Sequence, residues 1–184
     1  MKIRIATGND SDAVRSVHRS AFPQAERDIV SQLAVDLLAE ETDPPVLSLI
    51  AEVDALVDAL VDAVVVGHLA LSPVRMRDTG EFIGYILAPL AVSPDHQKRG
   101  IGSQLIKSGF ERLAAMGSGI LLVYGDPDFY GRFGFNVDLA AQYLPPYPLQ
   151  YPFGWLGQGF GEFKAPSSAV PISCVSPLRM PCLW

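Results

Sequence analysis

The apolar positions of this chain change period several times, and each change marks an element. Residues 2–6 alternate polar and apolar, which predicts a strand, and Asn9 or Asp10 then stands where a cap would open a helix running through Ala21. Ile29, Leu33, Leu37 and Leu38 recur at helical spacing within residues 26–40, and Pro44-Pro45 closes that helix. Residues 46–53, 63–74 and 82–92 read as strands. Ile101, Leu105, Ile106, Phe110 and Leu113 give the next segment a helical apolar face, with Lys107 and Glu111 one turn apart on another face and Gly117 and Gly119 as its end. A strand over residues 120–124 follows, and Asp126-Pro127 is the ordinary N-cap and N1 pair that starts a helix. Strands interleaved with amphipathic helices predict an α/β fold.

Two stretches fit neither period cleanly. Asp54-Ala-Leu-Val, Asp58-Ala-Leu-Val and Asp62-Ala-Val-Val form a three-fold tetrapeptide repeat. Its place fits a lengthened hairpin connection, and its period of four favours a short helical excursion with the aspartates on one face, a disordered insertion being the alternative. Residues 141–184 alternate Pro145, Pro146, Pro148 and Pro152 with Tyr143, Tyr147, Tyr151, Phe153 and Trp155. Such a run cannot be regular helix, and its aromatics call for burial or a ligand. The part from Pro166 onward reads as irregular.

Composition narrows the class. A chain of 184 residues, 49% apolar, suits one core of ordinary size. Its net charge of −6 offers no basic stripe for a nucleic acid. The longest apolar runs are shorter than the roughly 20 residues that span a bilayer, and the first residues read as a strand and not as a signal peptide, so a cytoplasmic protein is expected. Cys174 and Cys182 lie outside any ligand spacing and are expected to be free thiols. His18, His68 and His96 are scattered, which gives no support for a metal, and His96 reads as a solvated turn residue.

The most chemical stretch is residues 90–106, where a strand passes through a turn into a glycine-rich helix start. The first turn of a helix leaves backbone N–H groups without partners and carries the positive end of the dipole, so an anion is stabilised there. Gly100 and Gly102 let a pyrophosphate approach the backbone, and Lys98 and Arg99 add charge at the rim. A nucleoside-triphosphate loop is excluded because no glycine precedes a Lys-Ser/Thr pair. The dinucleotide fingerprint fails at its third glycine, which is Leu105.

The spacing Gln97-x-x-Gly100-x-Gly102 resembles the acetyl-CoA-binding motif of the GNAT family of N-acetyltransferases. With Pro89-Leu-Ala-Val ahead of it and Gly125-Asp-Pro-x-Phe-Tyr-Gly-Arg-Phe-Gly-Phe behind it, residues 1–150 look like the YhbS-like subgroup of that family. The resemblance implies a GNAT-like fold, a mixed, mostly antiparallel twisted sheet flanked by helices, whose two parallel strands splay at the cofactor site. The proline at 89, which lacks an N–H, fits that place. It implies a single domain over residues 1–184, with 141–184 as a Pro/aromatic-rich C-terminal extension that either walls the acceptor site or packs as a tail over the sheet.

The same resemblance implies acetyl-CoA as cosubstrate, without a metal, held by Leu90, Ala91, Val92, Gln97, Lys98, Arg99, Gly100, Ile101, Gly102 and Ser103. Tyr130 matches the tyrosine that protonates the departing thiolate in many members, and a backbone N–H near Ala91 or Val92 would hold the oxyanion. The glutamate the family often places before the cradle is replaced by Ile86-Leu87-Ala88-Pro89, and Glu26 and Glu81 are weak substitutes as base. Arg132 is left between nearby aspartates and a cofactor phosphate as partners. The expected activity is acetyl transfer to a primary amine of a small molecule or a peptide, and a homodimer is compatible with it. Loss of the strand carboxylate keeps a non-catalytic acyl-CoA-binding module as the rival reading.

Overall fold

In the computed structural model, which describes residues 1–57, 60–161 and 163–184, the chain folds as two compact units. The first comprises Met1–Glu41, Val46–Leu71 and Pro89–Arg112, and the second Thr42–Pro45, Ser72–Ala88 and Leu113–Trp184. In chain order the elements are β1 (Lys2–Ile5), α1 (Ser11–Ala21), α2 (Arg27–Ala39), β2 (Leu47–Val57), β3 (Leu60–Met76), β4 (Phe82–Val92), α3 (Ile101–Ala115), β5 (Ile120–Tyr124), α4 (Pro127–Tyr130), α5 (Val137–Ala140), β6 (Tyr143–Leu144), β7 (Trp155–Gly159) and β8 (Val170–Cys174). β3, β4 and α3 each pass from one unit into the other.

In the first unit β1 and β3 flank β2, both antiparallel to it, with a bulge at Ala51/Glu52. Alternation along β3 sorts its side chains between two helical layers. On one face, a Cβ on Gly67 would come within 3.1 Å of both Ile101 and Leu105, and Gly109 packs at Leu69 and Leu71, so α3 covers that face closely. The other face is sealed by α1 and α2, where Val14 and Ala34 bury against Ala6 and Ile50, with Leu38 and Val65 beside them.

Asp10 closes the start of α1. Its carboxylate accepts from Arg4 Nη1 and Nη2 at 2.9 and 2.8 Å and from Thr7 N and Oγ1 at 2.7 and 3.0 Å. Those bonds, the one from Arg4 first, hold it well below the usual carboxylate range. Arg4 also donates to Glu52 on β2, joining both strands to the helix start.

In the second unit β4 and β5 run parallel from Gly84↔Ile120 to Leu87↔Val123, and β7 adds antiparallel to β5. β8 pairs with β3 at Val74↔Cys174, Arg75↔Ser173 and Met76↔Ile172, and β6 pairs with β8. The sheet is therefore mixed and mostly antiparallel, and the parallel pairing ends two residues before Pro89. At the end of α3 the amides of Gly117 and Ser118 donate to the carbonyls of Ala114 and Leu113, which satisfies two orphan acceptors as the terminating glycine predicts.

The structure corrects several expectations. The tetrapeptide repeat is strand and not helix: β2 and β3 pair through it, from Asp54↔Ala63 to Val57↔Leu60, and its Asp58-Ala59 step lies outside the described residues. Repeated Leu-Val and Val-Val pairs suit a pleated ladder, so β propensity overrides the four-residue period. The stretch after residue 141 contributes β7 and β8 to the sheet, although it read as irregular from Pro166. Tyr143, Trp155 and Trp184 are buried, with Trp155 Nε1 donating to Tyr143 O at 2.8 Å. Cys174 is buried, Cys182 is exposed, and both are free thiols. No helix among the described residues is long and apolar enough to cross a membrane.

Candidate functional site

The cradle is built by a strand end, a turn and a helix start in the first unit. Ser93 N donates to Val66 O at 2.8 Å, so the last residues of β4 are anchored on β3. Successive N–H groups of an extended strand point to opposite edges, which turns the Val92 N–H away from β3. The adjacent Ala91 N–H faces β3 by the same alternation.

After a turn of 3-10 helix at Pro94–His96, Gln97 Nε2 donates to Val92 O at 3.0 Å. Gln97 thus braces the loop against the strand, while the backbone beside it turns through the left-handed region at Lys98, φ 59°, and at Gly100, φ 79°. A Cβ on Gly100 would meet nothing within 4 Å, so its backbone conformation and not crowding asks for glycine. Gln104 N donates to Gly100 O at 3.0 Å, the first bond of α3. The N–H groups of Ile101, Gly102 and Ser103 precede that bond and open outward from a helix of 15 residues.

The cradle residues divide by burial. Ile101 is 4% exposed and roots the helix start on the sheet, Ala91 is likewise buried, and Leu90, Val92, Gly102 and Ser103 are half-buried. Gln97, Lys98, Arg99 and Gly100 are exposed, and among the described residues neither Lys98 nor Arg99 forms an ion pair. Open N–H groups, a glycine turn and two uncommitted cations fit a diphosphate.

Tyr130 belongs to the second unit. Asp126 caps α4 by accepting from Asp128 N at 2.9 Å, the structural role its sequence position predicts. The Tyr130 ring lies so close to Gly125 that a Cβ there would be 2.4 Å from Tyr130 Cε2. Phe129 and Phe135 meet the ring edge-on at 5.0 and 5.6 Å. Burial, and then the charge of Asp126, push the phenol above its ordinary value, so it stays protonated throughout the neutral range. Its hydroxyl donates to no described residue. Among the described residues Arg132 pairs with no aspartate: its Nε donates to Phe129 O at 3.2 Å and its guanidinium lies 4.8 and 5.7 Å from the Phe129 and Phe133 ring centres.

Two histidines that are 50 residues apart in sequence meet in the first unit. His18 Nε2 and His68 Nδ1 are 2.8 Å apart, and His68 Nε2 lies 2.7 Å from Ser48 Oγ. Both rings are fully buried. Burial pushes His18 down to about 3 and His68 well below its ordinary range, so both are neutral. Scatter in sequence hid this pair, though each histidine occupies a core-facing register, His18 beside Val14 and Val17 on α1 and His68 between Gly67 and Leu69 on β3. Among the described residues no group of three or more His, Cys, Asp or Glu side chains could hold a metal ion.

YjhQ of Escherichia coli, named an uncharacterized N-acetyltransferase, is 32% identical over 149 residues, which is 79% of this chain and 75% of that protein. YhbS of the same organism, also named an uncharacterized N-acetyltransferase, is 32% identical over 144 residues, 78% of this chain and 77% of its own. The crystal structure of YhbS in complex with CoA superposes with a TM-score of 0.80 at 24% identity over 97% of this chain and 92% of that one. A GNAT family acetyltransferase from Brucella melitensis in complex with acetyl-CoA gives a TM-score of 0.63 at 28% identity, covering 92% of this chain and 93% of that one. The family model described as the acetyltransferase (GNAT) domain matches residues 2–137, which is well over half of the chain, and so this chain belongs to the GNAT acetyltransferases.

Proposed function

We propose that this protein transfers an acetyl group from acetyl-CoA to a primary amine, carried by a small molecule or a peptide, in the cytoplasm. The observation that carries the reading is the helix start after β4, where three outward N–H groups, Gly100 in the left-handed region and two unpaired cations stand together. Lys98, Arg99 and the amides of residues 100–103 are assigned to the diphosphate. Leu90 and Val92 are assigned to the pantetheine arm along the β4 edge, Ala91 and Ile101 seat that edge and the helix, and Gln97 acts by bracing the loop. The Brucella acetyltransferase with bound acetyl-CoA, 28% identical, supports the same cosubstrate.

Bound acetyl-CoA supplies an acetyl thioester whose sulfur can leave as a thiolate. The neutral fraction of the acceptor amine attacks the carbonyl carbon directly, and the Val92 N–H meets the negative charge that develops on the carbonyl oxygen. The C–N bond forms as the C–S bond breaks, and Tyr130 gives its proton to sulfur. A phenol raised further above a thiol's pKa of about 8.5 cannot make that transfer downhill alone. Tyr130 therefore recovers a proton from the nitrogen, which sheds it as the amide forms, and no strand carboxylate is needed.

The test is continuous detection of released CoA thiol against a panel of primary amines. Turnover that falls 10²-fold or more in Tyr130→Phe, with acetyl-CoA affinity within twofold of the parent, supports the assignment. Undiminished turnover in that variant removes Tyr130 from the chemistry. Saturable acetyl-CoA binding without turnover of any amine would favour the non-catalytic binding module.

A further inference from the structure

The segment ahead of β7 carries two large aromatic side chains that no core uses. Tyr151 is 53% exposed and Phe153 64%, and their ring centres are 5.9 Å apart. Neither sits on a loose tail: Tyr151 N donates to Tyr124 Oη at 2.7 Å, Gly125 N to Gly154 O at 2.9 Å, and Gly154 N to Tyr151 O at 2.9 Å. These bonds fix residues 151–154 against the C-terminal end of β5.

The contact is too close for a side chain at either glycine. A Cβ on Gly154 would lie 2.9 Å from Gly125 O, as one on Gly125 would strike the Tyr130 ring. Gly125 therefore lies against the Tyr130 ring and is bonded to the backbone of Gly154, which sets the segment that carries the exposed pair next to Tyr130 inside the second unit. Charge adds a sign. Asp126 and Asp128 follow directly, both exposed, and among the described residues neither forms an ion pair, while the guanidinium of Arg132 lies over Phe129 and Phe133.

We infer that Tyr151 and Phe153 are the specificity-determining platform for the acceptor, and that the acceptor is a cationic amine carried on an aromatic body. Paired exposed aromatics held by backbone bonds are kept where they bind, since water gains nothing from them. Their faces accept an aromatic body by offset or edge-on stacking and attract an ammonium through the ring quadrupole, and the two carboxylates complement the same charge. The inference rests on the reading of Tyr130 as the proton donor of the transfer.

The experiment compares 2-phenylethylamine with n-hexylamine by CoA release, in the full-length protein and in Phe153→Ala and Tyr151→Ala. For the parent, 2-phenylethylamine is expected to have a kcat/KM at least tenfold above that of n-hexylamine. Phe153→Ala should raise its KM about tenfold, leave kcat within twofold and erase the preference. Both side chains are exposed, so the variants should melt with the parent, and a matched Tm keeps the comparison clean. Equal kcat/KM for the two amines, an unchanged KM in both variants, or turnover of neither amine overturns the inference. A separate titration with acetyl-CoA tells which reading has failed: saturable binding leaves the proposed function standing without this acceptor class, and no binding by folded protein removes both.

Discussion

Lowering the pH from 7 to 5 should cost this protein at least about 2 kcal/mol of stability, through two buried histidines with no part in the proposed chemistry. His18 and His68 are fully buried in the first unit, 2.8 Å apart, and among the described residues no carboxylate is hydrogen-bonded to either. An unfolded histidine titrates near 6.5, whereas burial pushes His18 down to about 3 in the folded chain, and burial first and then the charge of His18 push His68 well below 6.5. The unfolded state therefore binds protons that the folded state refuses, and stability that is complete above pH 6.5 drains away as the pH falls. Between pH 7 and 5 His18 contributes about 2 kcal/mol, and His68 adds to it with the same sign, a sizeable share of the roughly 5–15 kcal/mol typical of a domain. Asp10 works in a lower window: its folded pKa is depressed, so its contribution fades only below the unfolded carboxylate value near 4. The assay is urea unfolding followed by far-UV circular dichroism at half-unit steps from pH 7.5 to 5, for the parent and for His18→Leu. A parent whose unfolding free energy stays flat within about 0.5 kcal/mol over that range, or a variant with the parent's slope, refutes the reasoning.

Gly125→Ala would place a Cβ 2.4 Å from Tyr130 Cε2, so the ring must shift. Misplacement of a catalytic group by about 1 Å can cost up to about 10²-fold, and kcat in the CoA-release assay should fall tenfold or more while the acetyl-CoA Kd holds. An unchanged kcat would separate Tyr130 from the reaction. Gln97→Ala removes the bond to Val92 O and with it the brace of the cradle loop. A neutral hydrogen bond is worth about 0.5–1.5 kcal/mol net, so acetyl-CoA should bind about 3–10-fold more weakly by calorimetry, and an unaltered Kd would contradict the bracing role.

The sequence made the elements around the cradle legible because each is governed by local rules. The strand over residues 82–92, the helix opened at Gly100 and closed at Gly117, and the strand over 120–124 follow from apolar period and glycine chemistry, and the structure has them at β4, α3 and β5. Gly100 was legible as a glycine that lets an anion approach the backbone, whereas its φ of 79° is visible only in the structure. What stayed hidden depended on pairing at long range. β8 joins β3 across about 100 residues, and nothing local to the proline-rich run announces it. His18 and His68 meet only because α1 lies on β3, so their distance in sequence carried no information. The role of Gln97 shows a finer limit: its spacing marked the loop, but only the geometry reveals that its amide holds Val92 O.

Isothermal titration of the purified protein with acetyl-CoA, beside a Gly100→Glu variant, tests the central claim most directly. Glutamate at Gly100 would strain a backbone of φ 79° and set a negative charge at the anion site. Saturable one-to-one binding by the parent that is lost in a variant that remains folded is the result predicted here. No binding by the folded parent, or equal binding by the variant, would contradict the assignment of residues 97–103 as the cosubstrate cradle.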